Sequence, residues 1–138
     1  MSFADIVLRV ILVLSGAFVV FTGADFALGG IMSLGLEGPP MPASFAEADG
    51  FHVRDSHTRF IGGVWLGVGL VLLASAVWFR ALRTALLACV VLIFIGGVAR
   101  FSAGQPDILF GPQVIVPLTL ELIGMPLLFY WVWHAQRT

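Results

Sequence analysis

Four charged residues lie within or beside apolar stretches of the chain. Asp25 and Arg59 are near the ends of two such stretches, and Arg100 and Glu121 lie about one helical turn inside two others. An uncompensated charge at a helix centre costs about 2.5–3.5 kcal/mol on membrane-insertion scales, so such residues usually pair or face a protein interior. Because an arginine fork matches a carboxylate and stays charged, we expect a bidentate Arg100–Glu121 pair, with Asp25 and Arg59 in or beside the same network.

Two interpretations of this charged layer remain open. In the first, Arg59 and Arg100 extend to lipid headgroups, and the ion pair only fixes the register of the helices. In the second, the network lines a pocket for an anionic or polar ligand. Both interpretations use the same four residues as ion-pair or ligand-binding candidates.

The segment HVRDSHTR, at residues 52–59, contains the metal-ligand types His52, Asp55 and His57. Their spacing is not that of a zinc site, and no thiolate or third histidine lies in a matching loop. Asp55, Ser56 or Thr58 instead suits the N-cap of a helix, because its side chain accepts from free helix amides. No nucleophile has a neighbouring base. We therefore expect no metal, no cofactor and no catalytic residue.

Four apolar helices must position these side chains. Hydrophobic residues form 59% of the 138-residue chain and charged residues only 11%, so a water-soluble fold would lack the polar surface to cover itself. Each of four runs is close to the roughly 20 residues that cross a bilayer. The runs cover residues 6–26, 59–79, 84–103 and 117–135. We predict an all-α integral membrane protein, folded as an antiparallel four-helix bundle in a single domain over residues 1–138.

Loop lengths and arginine positions predict the topology. Residues 80–84 form a short turn between the second and third runs, and residues 35–58 form one longer polar loop. The arginines near short loops fall on one side: Arg9, Arg80, Arg83 and Arg137. By the positive-inside rule this side is cytoplasmic. We expect a multi-pass protein of the bacterial cytoplasmic (inner) membrane, with both termini in the cytoplasm and the longer loop outside.

The phrase FIGGV occurs twice, at residues 60–64 and 94–98. In the predicted topology the two copies lie at similar depth in the outer half of the membrane and run in opposite directions. Small residues let helix backbones approach in lipid, and a proline inside a helix kinks it. The residues expected to shape helix packing are Gly62, Gly63, Gly96, Gly97, Gly124 and Pro126.

Three blocks of the chain resemble a known bacterial membrane family. The blocks SHTRFIGGVWLGVGLVLL, FIGGVARFSAGQP and LELIGMPLL follow in that order, and are similar to the family catalogued as domain of unknown function 4345. The likeness covers residues 55–128. Members of that family are described as small four-helix membrane proteins without an assigned activity, so the resemblance implies the architecture and no reaction. It points to Arg59, Gly62, Gly63, Gly96, Gly97, Arg100, Glu121 and Pro126.

Two function classes follow from these observations. The first is a non-enzymatic accessory or structural component, packed through its glycines and held by intramembrane ion pairs. The alternative is a binding or transport module for a small polar or anionic ligand, a lipid headgroup or a quinone at the charged layer. A redox-linked role in quinone chemistry rests on fold analogy alone. A net charge of −1 excludes a basic nucleic-acid-binding surface, so the expected partners are membrane lipid and a membrane protein or second copy.

Overall fold

The computed structural model describes residues 3–33 and 42–135, which are helical apart from turns and short connections and contain no strand. Four helices are long and apolar enough to cross a membrane: Phe3–Met32, Phe51–Val77, Phe79–Ala103 and Ile115–His134. The all-α fold and the four apolar helices are therefore confirmed. Arg137 and residues 35–41 of the longer loop lie outside the described residues.

The chain forms two compact units, Met1–Phe79 and Arg80–Thr138. The first contains helices α1 (Phe3–Gly29) and α2 (Phe51–Val77), and the second begins with α3 (Phe79–Ala99). The remaining helices are α4 (Pro106–Leu109), α5 (Ile115–Thr119) and α6 (Met125–His134). Single-turn 3-10 helices cover Gly30–Met32, Ala43–Glu47 and Arg100–Ala103, and a π-helical turn at Leu120–Gly124 joins α5 to α6. The arrangement of all four spans as one domain stays a prediction.

Helices α1 and α2 pack through glycines that repeat every seven residues. A Cβ added at any of these glycines would come too close to a backbone nitrogen of the facing helix. The distances are 2.9 Å from Gly16 to Leu73, 2.4 Å from Gly23 to Leu66, 2.4 Å from Gly62 to Ala27 and 2.6 Å from Gly69 to Val20. Along these four contacts the residue number rises on α1 as it falls by the same amount on α2, so the two helices run in opposite directions.

The seven-residue spacing explains why this pair is so close. Positions seven apart lie on one face of a helix, the seam that left-handed helix pairs share. In lipid no hydrophobic force drives helices together. Small residues on that seam instead allow close backbone contact, which stabilises the pair by van der Waals packing. Larger residues of the same unit complete its buried core: Leu8, Leu12, Val19, Val68, Leu72 and Ala76.

The start of α2 differs from the prediction. The helix begins at Phe51, after Gly50 in the left-handed conformation at φ +76°. Asp55, Ser56 and Thr58 therefore lie inside the helix, and their predicted N-cap role is wrong. A polar segment can continue a helix beyond the apolar span because charges outside the hydrocarbon region stay hydrated.

The connection between α2 and α3 is also shorter than predicted. Only Trp78, at φ −104° and ψ 48°, separates the two helices. Residues 80–84, expected to form the turn, are helical. Alanine, leucine and arginine are strong helix formers, which explains why the helix includes this segment and leaves the bend to a single residue.

Candidate functional site

Arg100 and Glu121 form a bidentate ion pair in the second unit. Arg100 Nε donates to Glu121 Oε2 at 2.7 Å, and Arg100 Nη2 donates to Glu121 Oε1 at 2.7 Å. The Glu121 side chain is 12% exposed and that of Arg100 is 34% exposed. This is the geometry that the sequence analysis expects of the pair. The arginine is partly accessible while the carboxylate is nearly enclosed.

Gly97 allows the two helices to approach at this pair. A Cβ at Gly97 would be 2.7 Å from the Cβ of Glu121 and 3.2 Å from its Oε2. Gly97 lies almost one turn before Arg100, so both residues face the segment that carries Glu121. The glycine therefore makes room for the carboxylate that the arginine binds.

Glu121 lies in the π-helical turn Leu120–Gly124, where the Met125 amide donates to the Leu120 carbonyl. Pro126 lies two residues beyond this turn. Proline has no N–H, and in a regular α-helix its ring would collide with the carbonyl four residues earlier. A local widening to the π-helical form relieves that collision. The sequence analysis expects a kink at Pro126 and does not foresee the π turn.

Arg59 forms a cluster of polar contacts within the first unit. Its Nε donates to Asp55 Oδ2 at 2.7 Å, its Nη1 donates to the Leu28 carbonyl, and its Nη2 lies 3.4 Å from the Gly29 carbonyl. Leu28 and Gly29 end α1, where carbonyls lack partners within the helix. The guanidinium thus caps α1 while the carboxylate balances its charge.

The chain just beyond α1 completes this cluster. The Ile31 amide donates to Asp55 Oδ1 at 3.0 Å. Gly30 adopts φ +64°, and a Cβ there would be 1.9 Å from Asp55 Oδ1. Only glycine fits this position, for reasons of both conformation and space. Asp55 therefore fixes the chain leaving α1, in place of the predicted capping of α2.

Asp25 is not an ion-pair partner of Arg59 in the first unit. Its Oδ2 is buried, and the described residues provide no hydrogen bond to it. Arg59 takes Asp55 instead, which lies one turn earlier on the same helix. Within the first unit, Arg59 therefore pairs with Asp55, and Asp25 lies outside this ion pair. A single network that joins Asp25 and Arg59 to the Arg100–Glu121 pair stays a prediction.

Two further arginines cap helix ends, a role that the sequence analysis missed. Arg9 Nη1 donates to the Ala76 carbonyl at 2.7 Å, near the end of α2. Arg83 donates to the Val132 and Trp133 carbonyls at 3.3 and 2.9 Å, near the end of α6, and its guanidinium carbon is 5.3 Å from the Trp133 ring centre. The signal in the sequence is that an arginine lies soon after the start of the donating helix: Arg9 in α1 and Arg83 in α3.

The five predicted packing glycines differ in their surroundings. Gly62 and Gly97 are in close contact with a facing segment of their own unit. For Gly63 and Gly96, a Cβ would meet nothing within 4 Å, and for Gly124 it would meet only Leu120 at 3.7 Å. Within its own unit, one glycine of each predicted Gly-Gly pair is therefore packed, and the packing role of Gly63, Gly96 and Gly124 stays a prediction.

Metal ligands do not gather in the part of the chain that the structure describes. Within residues 3–33 and 42–135, no group of three histidine, cysteine or acidic side chains could hold a metal ion. His134 Nδ1 lies 2.8 Å from the Tyr130 carbonyl, and Asp55 is held by Arg59. The arrangement favours contacts within the chain.

Comparison with protein families decides the classification. The family model described as "Domain of unknown function (DUF4345)" matches residues 7–132. The chain belongs to this family. No curated protein and no solved structure matches the chain. The match covers both Arg59 and Arg100 of this DUF4345 protein. Together with the four apolar helices, it is consistent with a membrane protein from a family without an assigned function.

Proposed function

We propose that the protein is a non-enzymatic accessory or structural component of the bacterial cytoplasmic membrane. Its four spans form an antiparallel bundle with both termini in the cytoplasm, and its partner is a membrane protein or a second copy. The observation that carries this proposal is the use of Arg9, Arg59 and Arg83 on the terminal carbonyls of neighbouring helices. Each of these three charges ties the end of one helix to a neighbouring helix of the same unit.

The physical reason lies in the ends of membrane helices. The last turn of a helix leaves carbonyls without donors and carries a partial negative charge. A guanidinium on an adjacent helix supplies both hydrogen bonds and a positive charge, and it ties the two helices together. Three arginines used in this way stabilise a fixed arrangement of helices within each unit. Such a fixed surface suits a protein that assembles with a membrane partner.

The binding or transport module is retained as a second candidate because of one observation. Glu121 is nearly enclosed, lies in a π-helical turn, and is paired with a partly exposed Arg100. Ionisable residues within membrane spans and π turns are both frequent at functional sites. The ligand of such a module is a small polar or anionic molecule, a lipid headgroup or a quinone.

Native mass spectrometry of the protein, purified in mild detergent from its host, tests both candidates. The matched variant carries Arg100→Gln with Glu121→Gln, which removes both charges and keeps hydrogen-bonding groups of similar size. A stoichiometric protein partner or second copy that also remains on the folded double variant supports the structural role. A small molecule bound to the wild type and absent from the folded variant would contradict the structural role and support the binding module.

A further inference from the structure

A cleft in the second unit lies beside the π turn. It has a volume of about 250 Å³ and is lined by Val90, Val91 and Phe94 of α3 and by Met125, Pro126 and Phe129 of α6. Val90 and Met125 are near the middle of the spans Phe79–Ala103 and Ile115–His134. The cleft is therefore at the depth of the hydrocarbon region of a bilayer.

Water is a poor occupant of this cleft. All six lining side chains are apolar, and a bound water needs two to four polar partners. An empty cleft is also unfavourable, because its walls lose dispersion contacts on one side. At this depth the surrounding medium consists of acyl chains, which supply those contacts without requiring hydrogen bonds.

We propose that the cleft is a binding site for one acyl chain of a membrane lipid, retained when bulk lipid is removed. Its volume is below the roughly 300–1,000 Å³ of pockets that enclose whole ligands, so it fits part of a chain better than a cofactor. The site is distinct from the charged pair and does not depend on the proposed function.

Pro126 gives this site its permanence. Its ring forms part of the wall, and the π turn before it keeps the helix wide at this level. Because proline has no N–H, the regular α-helical hydrogen bond cannot form at this level of the wall. Phe94 and Phe129 add flat, rigid surfaces on which methylene groups can pack.

Substitution of neighbouring residues on α3 tests the site. Val91 lines the cleft and is 41% exposed, whereas Leu92 is 56% exposed and does not line it. Val91→Trp fills the cleft, and Leu92→Trp adds the same ring elsewhere on the helix. Each protein is reconstituted with phosphatidylethanolamine and phosphatidylglycerol, transferred to detergent, and examined by native mass spectrometry with circular dichroism as the folding control.

The expected result is one retained lipid on the wild type and on Leu92→Trp, and loss of most of it on Val91→Trp. Equal retention by Val91→Trp and wild type, equal loss in both variants, or no retained lipid on the wild type overturns the proposal. If Val91→Trp does not fold, cross-linking of the wild type decides. A phosphatidylcholine with a diazirine on its acyl chain should label Val91 and Met125 above Leu92 after detergent dilution, and uniform labelling would overturn the proposal.

Discussion

Arginine side chains make several of the polar contacts that join helices within each unit, alongside the hydrogen bond that Trp65 Nε1 donates to Thr22 Oγ1 in the first unit. A guanidinium has five N–H donors in a planar fork, so one side chain can reach two successive carbonyls, as Arg83 does at Val132 and Trp133. A lysine ammonium has no such fork and is more strongly hydrated. This difference explains a chain whose seven basic residues are all arginine.

Replacing Arg83 by lysine should lower the stability of the second unit. Arg83→Lys loses one of two carbonyl contacts and weakens the cation–π contact with the Trp133 ring, a loss of about 1–2 kcal/mol in the free energy of unfolding. Arg80→Lys is the control, because the described residues show no hydrogen bond from Arg80 to another helix. Unfolding of both variants in detergent, followed by circular dichroism, measures the difference; equal stabilities would contradict the capping role.

Charge exchange at Arg100 and Glu121 should show direct coupling. Arg100→Glu or Glu121→Arg alone sets like charges together, and each should lower the free energy of unfolding by about 2–3 kcal/mol, allowing for the partial exposure of Arg100. The double exchange should recover at least about 1 kcal/mol relative to the sum of the single losses. A double exchange no more stable than either single variant would show that the pair is not direct.

The bidentate pair was predictable from sequence because charge type and depth select few partners in an apolar span. The Arg59–Asp55 pair was less so. With α2 assumed to begin at residue 59, Asp55 belonged to a loop, and Asp25 remained the nearest apolar-span carboxylate. Once the helix begins at Phe51, the two residues are four apart on one helix and can meet.

At the scale of the helices, each Gly-Gly pair of the repeated FIGGV phrase has one packed and one open member. The close approach of Gly62 to α1 and of Gly97 to Glu121 leaves no space for a methyl group. The neighbouring glycine, Gly63 or Gly96, is rotated by about 100° around the helix, and a Cβ there meets nothing within 4 Å. Each pair therefore offers a packed glycine and an adjacent open glycine as a control for substitution experiments.

Alanine substitutions at the two pairs should give opposite results. Gly62→Ala and Gly97→Ala each force a backbone shift and should lower the free energy of unfolding by about 1–3 kcal/mol. Gly63→Ala and Gly96→Ala should leave it unchanged or raise it by up to about 1 kcal/mol, since alanine favours the helix. Thermal unfolding of the four variants in one detergent makes the comparison, and similar losses at both members of a pair would be inconsistent with the packing described here.

The number of helices was predictable from hydropathy, whereas their ends were not. The run length that crosses a bilayer sets only a minimum length for each helix. Helix α1 extends beyond the predicted run at both ends, and α2 begins within the polar segment before its run. The break at Trp78 carries neither glycine nor proline, so no turn signal marked it. The π turn results from Pro126 together with its packing, and a sequence alone predicts only the proline.

For the whole molecule, the predicted topology places the segment after residue 42 outside the cell and the α2–α3 junction inside it. In a Cys89→Ser background, Ser44→Cys should react with a membrane-impermeant maleimide in intact cells. Ala81→Cys, near the junction, should react only after permeabilisation. The opposite pattern would reverse the assigned orientation without altering the helices.

The heptad register of α1 against α2 has a mechanical consequence. Any slide shorter than seven residues, about 10.5 Å, would bring larger side chains to the places where only glycine fits, so piston motion along this seam is blocked. Gly30 and Asp55 lock the same pair at one end. Under axial load the α1–α2 pair should therefore move as one rigid body.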